Sequence, residues 1–259
     1  MEITSFKCGD KKMKLDKIIS LRQETTALSV EERLKWVADR FPGKIIFASA
    51  LGAEDQVITD LIARLNLAIP VVTLDTGRLF DETYTLIQKT EARYGIRFRI
   101  QFPDRHAVES MVAEHGINLF RNSIEKRKLC CKIRKIEPLR RALSGFTGWI
   151  CGLRRDQSVT RSDVNSADWD EANQMLKINP IFDWSESQVW EYIARHDVPY
   201  NELHDRGYPS IGCASCTRAI KRTEDVRAGR WWWEQPEQKE CGLHWVDGKP
   251  VRNKTTENL

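Results

Sequence analysis

The sequence predicts an α/β fold, a parallel sheet with helices on both faces. Short apolar runs rich in β-formers recur at residues 44–50, 70–74 and 96–102. Between them lie segments whose apolar residues fall at helical spacing. Strands separated by helices of this length imply right-handed crossovers and therefore a parallel sheet. A chain of 259 residues is long enough for such a core, and it reads as one domain over 1–226 followed by a C-terminal arm and tail over 227–259.

Ser29 and Glu32 form a capping-box pattern that opens a helix running to about Arg40, and Pro42-Gly43 closes it. Residues 44–50 then read as a buried strand. Gly52 follows, and Ala53-Glu54-Asp55 starts a helix with Val57, Ile58, Leu61, Ile62 and Leu65 on its apolar face. The unit repeats, with a strand at 70–74, an amphipathic helix at 80–94 and a strand at 96–102. Residues 148–153 and 175–178 read as two further strands. There is no internal repeat and no low-complexity segment. Beyond about Arg227 apolar periodicity stops, apart from Trp231-Trp232-Trp233, which is expected to pack against the core.

The formal net charge of +4 suits an anionic substrate or a nucleic acid and chooses neither. The first residues carry lysines and aspartates with no apolar segment, so no signal peptide is expected. No apolar run approaches the roughly 18 residues of a membrane span. The expected compartment is the reducing cytoplasm, where clustered cysteines mean metal or catalysis more often than disulfides. Seven cysteines, an odd count, agree with that.

Cys130 and Cys131 are adjacent, and Cys213-Ala214-Ser215-Cys216 answers them downstream. A zinc ion would have to accept both members of the doublet at one tetrahedral centre, in a strained chelate ring. An iron-sulfur cluster offers each thiolate its own iron. The doublet therefore favours iron. Six basic residues surround it, Lys126, Arg127, Lys128, Lys132, Arg134 and Lys135. They are read either as compensation for a buried anionic centre or as a solvated helix face or RNA-binding stripe. Cys241 lies in a polar tail with almost nothing to bury, so an accessible thiol is expected there, with His244 close by; a chance free thiol and a Cys-x-x-His metal half-site are the alternatives. Cys8 and Cys151 have no partners, and His106, His115, His196 and His204 fit no ligand spacing.

In parallel sheets the ligand sits at the carboxyl ends of the strands. Three loops there carry suitable chemistry. Ser49-Ala50-Leu51-Gly52 offers backbone N–H groups to an anion at a helix N-terminus. Leu74-Asp75-Thr76-Gly77 places polar groups directly after a strand. Arg154 and Arg155 in the stretch 152–158 can fork onto phosphate or sulfate oxygens.

These stretches, with Arg230-Trp231-Trp232-Trp233-Glu234 and Glu240-Cys241-Gly242-Leu243-His244, make the chain resemble the assimilatory sulfonucleotide reductases over about residues 44–245. Within them it is most similar to the cluster-containing adenosine 5'-phosphosulfate (APS) reductases. The resemblance implies an adenine nucleotide α-hydrolase-like fold in which the Ser49 loop is a modified PP-loop. It implies one 4Fe-4S cluster on Cys130, Cys131, Cys213 and Cys216, with Lys135 between cluster and substrate. It also implies reduction of APS to sulfite and AMP, with a thioredoxin- or glutaredoxin-like reductant and a thiosulfonate on Cys241. Ser49, Gly52, Leu74, Asp75, Thr76 and Gly77 then bind the nucleotide, and Arg154, Arg155, Arg227 and Arg230 clamp its anionic groups. A homo-oligomer is expected, with no nucleic acid and no membrane among its partners. Two positions depart from the family: Leu51 stands where an aromatic is more usual, and Cys151 replaces a small residue. The alternatives are a reductase of the 3'-phosphorylated nucleotide (PAPS), a PP-loop RNA-thiolation enzyme, and a nucleic-acid-binding module with structural zinc. The thiolation enzymes carry a Ser-Gly-Gly-x-Asp-Ser loop that is absent here.

Overall fold

The predicted capping box forms. Glu32 N–H donates to Ser29 Oγ at 3.3 Å, and Ser29 N–H donates to the Glu32 carboxylate at 2.8 Å, opening helix α2 (Val30–Arg40). The computed structural model describes residues 11–157, 161, 163–235, 245–246 and 249–250. Ahead of α2 lies α1 (Lys11–Thr26), which the sequence reading did not identify. Strand β1 (Ile45–Ala48) leads into α3 (Ala53–Arg64), β2 (Val71–Leu74) into α4 (Asp81–Tyr94), and β3 (Arg99–Gln101) into α5 (Arg105–His115). Gly95 ends α4 at φ +64°, a left-handed cap that glycine adopts without steric cost.

Helix α6 (Ile124–Cys131) continues through a π turn at Lys132–Ile136 into α7 (Glu137–Leu143). Pro138 explains the irregularity: it has no N–H to give the carbonyl four residues back, so a regular α-helical register cannot pass through Arg134. After α7 come β4 (Gly148–Ile150), β5 (Ala167–Asp170), β6 (Met175–Ile178) and α8 (Glu186–His196). A short antiparallel pair, β7 (Trp245–Val246) and β8 (Lys249–Pro250), lies near the C-terminus.

The main sheet runs in the order β3-β2-β1-β4-β6-β5. All neighbours are parallel except β5, which is antiparallel to β6. The sheet is thus parallel as expected, with one antiparallel strand added at its edge. β5 escaped the sequence reading because Ala167-Asp168-Trp169-Asp170 has two carboxylates and no β-branched residue. Strand alternation divides the core. Ile45, Phe47, Val71, Ile150 and Ile178 pack with α2, α3 and α8 on one face, whereas Ile46, Val72, Trp149 and Cys151 pack with Leu139 and Leu143 of α7 on the other.

The strands are shorter than predicted: 45–48 for 44–50, 99–101 for 96–102 and 148–150 for 148–153. The difference matters for the site. Ser49, Ala50 and Cys151 to Arg154 are loop rather than strand, all at the carboxyl edge. β2 and β4 flank β1 on opposite sides, so the chain reverses its direction of sheet growth between β1 and β4, where a crevice opens. The first part of the predicted arm packs on the body. Arg230 bridges to Thr217, and Trp231 N–H donates to Cys216 O at 3.1 Å.

Candidate active site and four-cysteine pocket

The loop after β1 is built around a left-handed residue, Leu51 at φ +62°. That conformation is uncommon for a side chain with Cβ, and it turns successive backbone N–H groups toward one side. Leu51 N–H donates to the buried Ser49 hydroxyl at 3.1 Å, and Ala50 N–H donates to Asp55 Oδ2 at 2.6 Å. Gly52 caps α3 with no side chain of its own. Burial pushes the Asp55 carboxyl up to about 7 against the Ala50 N–H, and neighbouring Glu54 adds to the rise. Gly152, after β4, faces Asp55 so closely that a Cβ there would stand 2.3 Å from Oδ1. Only glycine permits that approach between the two loops.

A cavity of about 820 Å³ opens above these loops, within the range of small-ligand sites. Of the predicted substrate residues, Ser49, Gly52, Leu74, Thr76, Arg154, Arg227 and Arg230 line it, and Lys135 does too. Asp75, Gly77 and Arg155 do not. Asp75 accepts from Gly77 N–H at 2.7 Å and from the Tyr84 hydroxyl at 3.0 Å, shaping the turn from below. Arg155 stacks on Phe182, 4.7 Å from the ring centre, and donates to Val164 O at 2.7 Å. Arg154 lines the cavity, but its fork is turned onto Glu54 Oε1 at 3.0 and 2.8 Å. Burial raises the Glu54 carboxyl, yet the Gln157 amide and Arg154 outweigh it and the net direction is down.

Arg230 reaches over Gly212, where a Cβ would stand 2.3 Å from its Nη2, and donates to Ser210 Oγ at 3.4 Å and Ile211 O at 3.2 Å. Three lining residues were not singled out from the sequence. Arg161, four residues beyond Gln157 and hydrogen-bonded to it, adds a guanidinium. Asp55 ties the two loops together. His204 fits no ligand spacing in the sequence, yet it lines the cavity with both ring nitrogens buried and without a hydrogen-bond partner.

Beside the cavity lies a second pocket. Cys130, Cys131, Cys213 and Cys216 all line it, with Arg78, Arg127, Arg134, Lys135 and Trp231. All four sulfur residues are buried. Cys130 and Cys131 sit next to each other on α6, about 100° apart around its axis. The other pair is fastened to the loop after β2: Ala214 N–H donates to Arg78 O at 2.8 Å, and Thr76 Oγ1 lies 3.2 Å from Cys213 Sγ. Burial raises the Cys130 and Cys216 thiols to about 11, Cys131 adding to the first and Cys213 to the second. Burial also acts against the Cys213 thiolate, but Lys135, the Thr76 hydroxyl, Arg230 and Arg134 overcome it and the net direction is down. Among the described residues no three His, Cys, Asp or Glu side chains are placed to hold a single metal ion. Lys135 and Cys213 line both spaces. Of the tryptophan run, Trp231 packs with Cys130, Cys213 and Cys216 and Trp233 packs against that cluster as expected, whereas Trp232 is exposed. Cys8, Cys241 and His244 lie outside the described residues.

The phosphoadenosine phosphosulfate reductase domain matches residues 44–219. The adenosine 5'-phosphosulfate reductase of Allochromatium vinosum is 55% identical over 200 residues, covering 77% of this chain and 78% of that one. The enzyme of the same name from Neisseria meningitidis serogroup B is 48% identical, covering 85% and 92%. Among solved structures, a phosphoadenylyl-sulfate (PAPS) reductase from Candida auris in complex with phosphate superposes with a TM-score of 0.69 at 29% identity, over 83% of this chain and all of that one. A Candida glabrata FMN adenylyltransferase shares the fold at a TM-score of 0.51 and 16% identity, over 95% of this chain and 83% of that one. Among the described residues no helix is long and apolar enough to cross a membrane.

Proposed function

The chain belongs to the phosphoadenosine phosphosulfate reductase domain family, and on that premise we propose that it reduces APS to sulfite and AMP with electrons from a thioredoxin- or glutaredoxin-like dithiol. The observation that carries this reading is the junction of two spaces at Lys135. A cavity large enough for a nucleotide, and lined by guanidinium groups, shares Lys135 and Cys213 with a pocket of four cysteines.

The residues fit one 4Fe-4S cluster. In such a cluster each thiolate binds its own iron, and the four buried cysteines line one pocket. Cys130, Cys131, Cys213 and Cys216 would hold it. When bound, it supplies a compact metal centre of net charge about −2 by ligand counting, and Arg78, Arg134 and Lys135 supply the facing positive charge.

In the cavity, the N-terminus of α3 at Gly52 and Ala53 receives the anionic part of the substrate, the Ser49, Ala50 and Leu51 N–H groups being already bonded within the protein. Lys135, Arg161, Arg227 and Arg230 surround it with positive charge. The arm over 227–259 brings Cys241 to that point. Its thiolate attacks the sulfate sulfur, the sulfur–oxygen bond to phosphate breaks, and AMP leaves with the electron pair. The product is a thiosulfonate on Cys241. A reductant thiolate then attacks Cys241 Sγ and expels sulfite, and the second reductant thiol resolves the mixed disulfide and returns the Cys241 thiol. Lys135 stabilises the charge that grows on the leaving oxygen.

The test uses anaerobically purified protein. Mixed with APS and no reductant, it releases one equivalent of AMP and carries a sulfonate adduct on the peptide containing Cys241. Competition between APS and PAPS at equal concentration is won by APS. Dominant turnover of PAPS, or an adduct on Cys8 or Cys151, would overturn the assignment.

A further inference from the structure

Arg127 and Glu234 form a buried ion pair outside the nucleotide cavity, with side chains 0% and 4% exposed. The pair is bidentate: Arg127 Nε and Nη2 donate to the two Glu234 carboxylate oxygens at 2.8 and 2.9 Å. Arg127 sits one turn before Cys130 on α6, and Glu234 lies seven residues before Cys241. The Trp231 ring faces the Arg127 guanidinium at 4.7 Å and the Arg230 guanidinium at 4.8 Å. Trp231 has φ +41°, an outlier for a bulky residue that persists only where its surroundings fix it. Glu234 N–H closes the turn on Trp231 O at 2.8 Å.

A buried ion pair is weak evidence for stability, because desolvation of the two charges offsets much of their attraction and an apolar pair of similar size packs as well or better. What a bidentate pair gives and an apolar pair lacks is register, since the fork accepts the carboxylate in one orientation. We propose that the Arg127–Glu234 pair is the anchor of the C-terminal arm, and that both are positioning residues for the thiol of Cys241. The inference rests on the reading of Cys241 as nucleophile.

Chain geometry sets the size of the effect. From Glu234, seven residues reach at most about 25 Å, which bounds the volume the thiol can visit. Without the pair, the next hydrogen-bonded fastening is Trp231 on Cys216 O and, if that and the Arg230 bridge both open, the chain is held at Thr217. The tether then grows from seven residues to ten or twenty-four. Effective concentration falls roughly as the −3/2 power of tether length, about twofold for the first case and about sixfold for the second.

The test compares single-turnover AMP release and equilibrium APS affinity in wild type, Glu234→Gln, Cys241→Ser and a variant with six Gly/Ser residues inserted between Gln235 and Pro236. The anchor predicts AMP release slowed about two- to sixfold in Glu234→Gln and about two- to threefold in the insertion variant. APS affinity stays at the wild-type value in both. Trypsin cleavage after Lys239 is faster in Glu234→Gln. Normal AMP release and normal cleavage in Glu234→Gln overturn the anchor; should that variant fail to fold, normal release in the insertion variant overturns it instead. Cys241→Ser separates the two readings. If it still releases AMP, the nucleophile is wrong, whereas an inert Cys241→Ser beside a normal Glu234→Gln leaves the nucleophile standing and removes the anchor.

Discussion

Replacing Asp55 by Asn removes an ionisable group from the tie between the Ser49 loop and Gly152 while keeping its shape. Burial is the main reason that the Asp55 carboxyl rises from 3.8 to about 7, with Ala50 N–H opposing and Glu54 assisting. Each pKa unit is worth 1.36 kcal/mol, so ionising Asp55 in the folded chain costs about 4 kcal/mol more than in the unfolded one. The folded pKa lies above the unfolded value. Between about pH 4 and 7 the native state therefore holds a proton that the unfolded chain has released, and stability falls as pH rises through that window. From pH 5 to pH 8 the wild type loses about 2–3 kcal/mol through this group, and Asp55→Asn does not. In a chain of this size 1 kcal/mol shifts Tm by about 2–4 °C, so the gap between the two proteins moves in favour of the variant by about 5–10 °C. Thermal unfolding without nucleotide at pH 5, 6.5 and 8 measures it. Parallel Tm curves for the two proteins across that range would refute the reasoning.

Cys213→Ser leaves three thiolates and removes the one that Lys135 and Thr76 hold; iron and acid-labile sulfide should both fall well below half of the wild-type content in anaerobic protein, and sulfite production with them. Lys135→Ala should keep the iron and lower kcat more than it raises KM, by about 10- to 100-fold, because the ammonium acts on charge that grows only in the transition state; steady-state kinetics beside an iron assay checks this, and normal kcat would break the link between the two spaces. Gly212→Ala places a methyl 2.3 Å from Arg230 Nη2, so the guanidinium must move. The end of a flexible side chain shifts at little cost to the fold, but it is the end that lines the cavity, so APS affinity measured by calorimetry should weaken roughly tenfold while the far-ultraviolet circular dichroism is unchanged.

Much of the sheet was legible because its chemistry is local. Ile45, Ile46 and Phe47 can only be buried, and the capping boxes and glycine punctuation mark helix ends within the same few residues. β5 was not legible, since its place at the edge beside β6 permits a polar strand that no apolar pattern reveals. The cysteine spacing suggested a metal centre, and the fold brings all four residues to one pocket; the basic residues around the doublet read in the sequence equally as charge balance or as a solvated face. The sequence could not divide those cations between roles. Arg134 donates to Thr76 O at 2.6 Å and Lys135, its neighbour, faces the cavity, a division made by the π turn between Cys131 and Pro138.

Arginines are the clearest instance of what tertiary structure alone decided. Arg154 and Arg155 look alike in the chain, yet the first is paired with Glu54 on α3 and the second stacks on Phe182 outside the cavity. Arg161 reaches the cavity from a segment far in sequence from the one that carries Arg227 and Arg230. A guanidinium's role depends on which carboxylates and rings the fold brings within about 4 Å of it, and those neighbours are non-local. Composition and spacing fixed the donors available to this protein; the packing of the loops at the carboxyl edge selected which of them face a substrate.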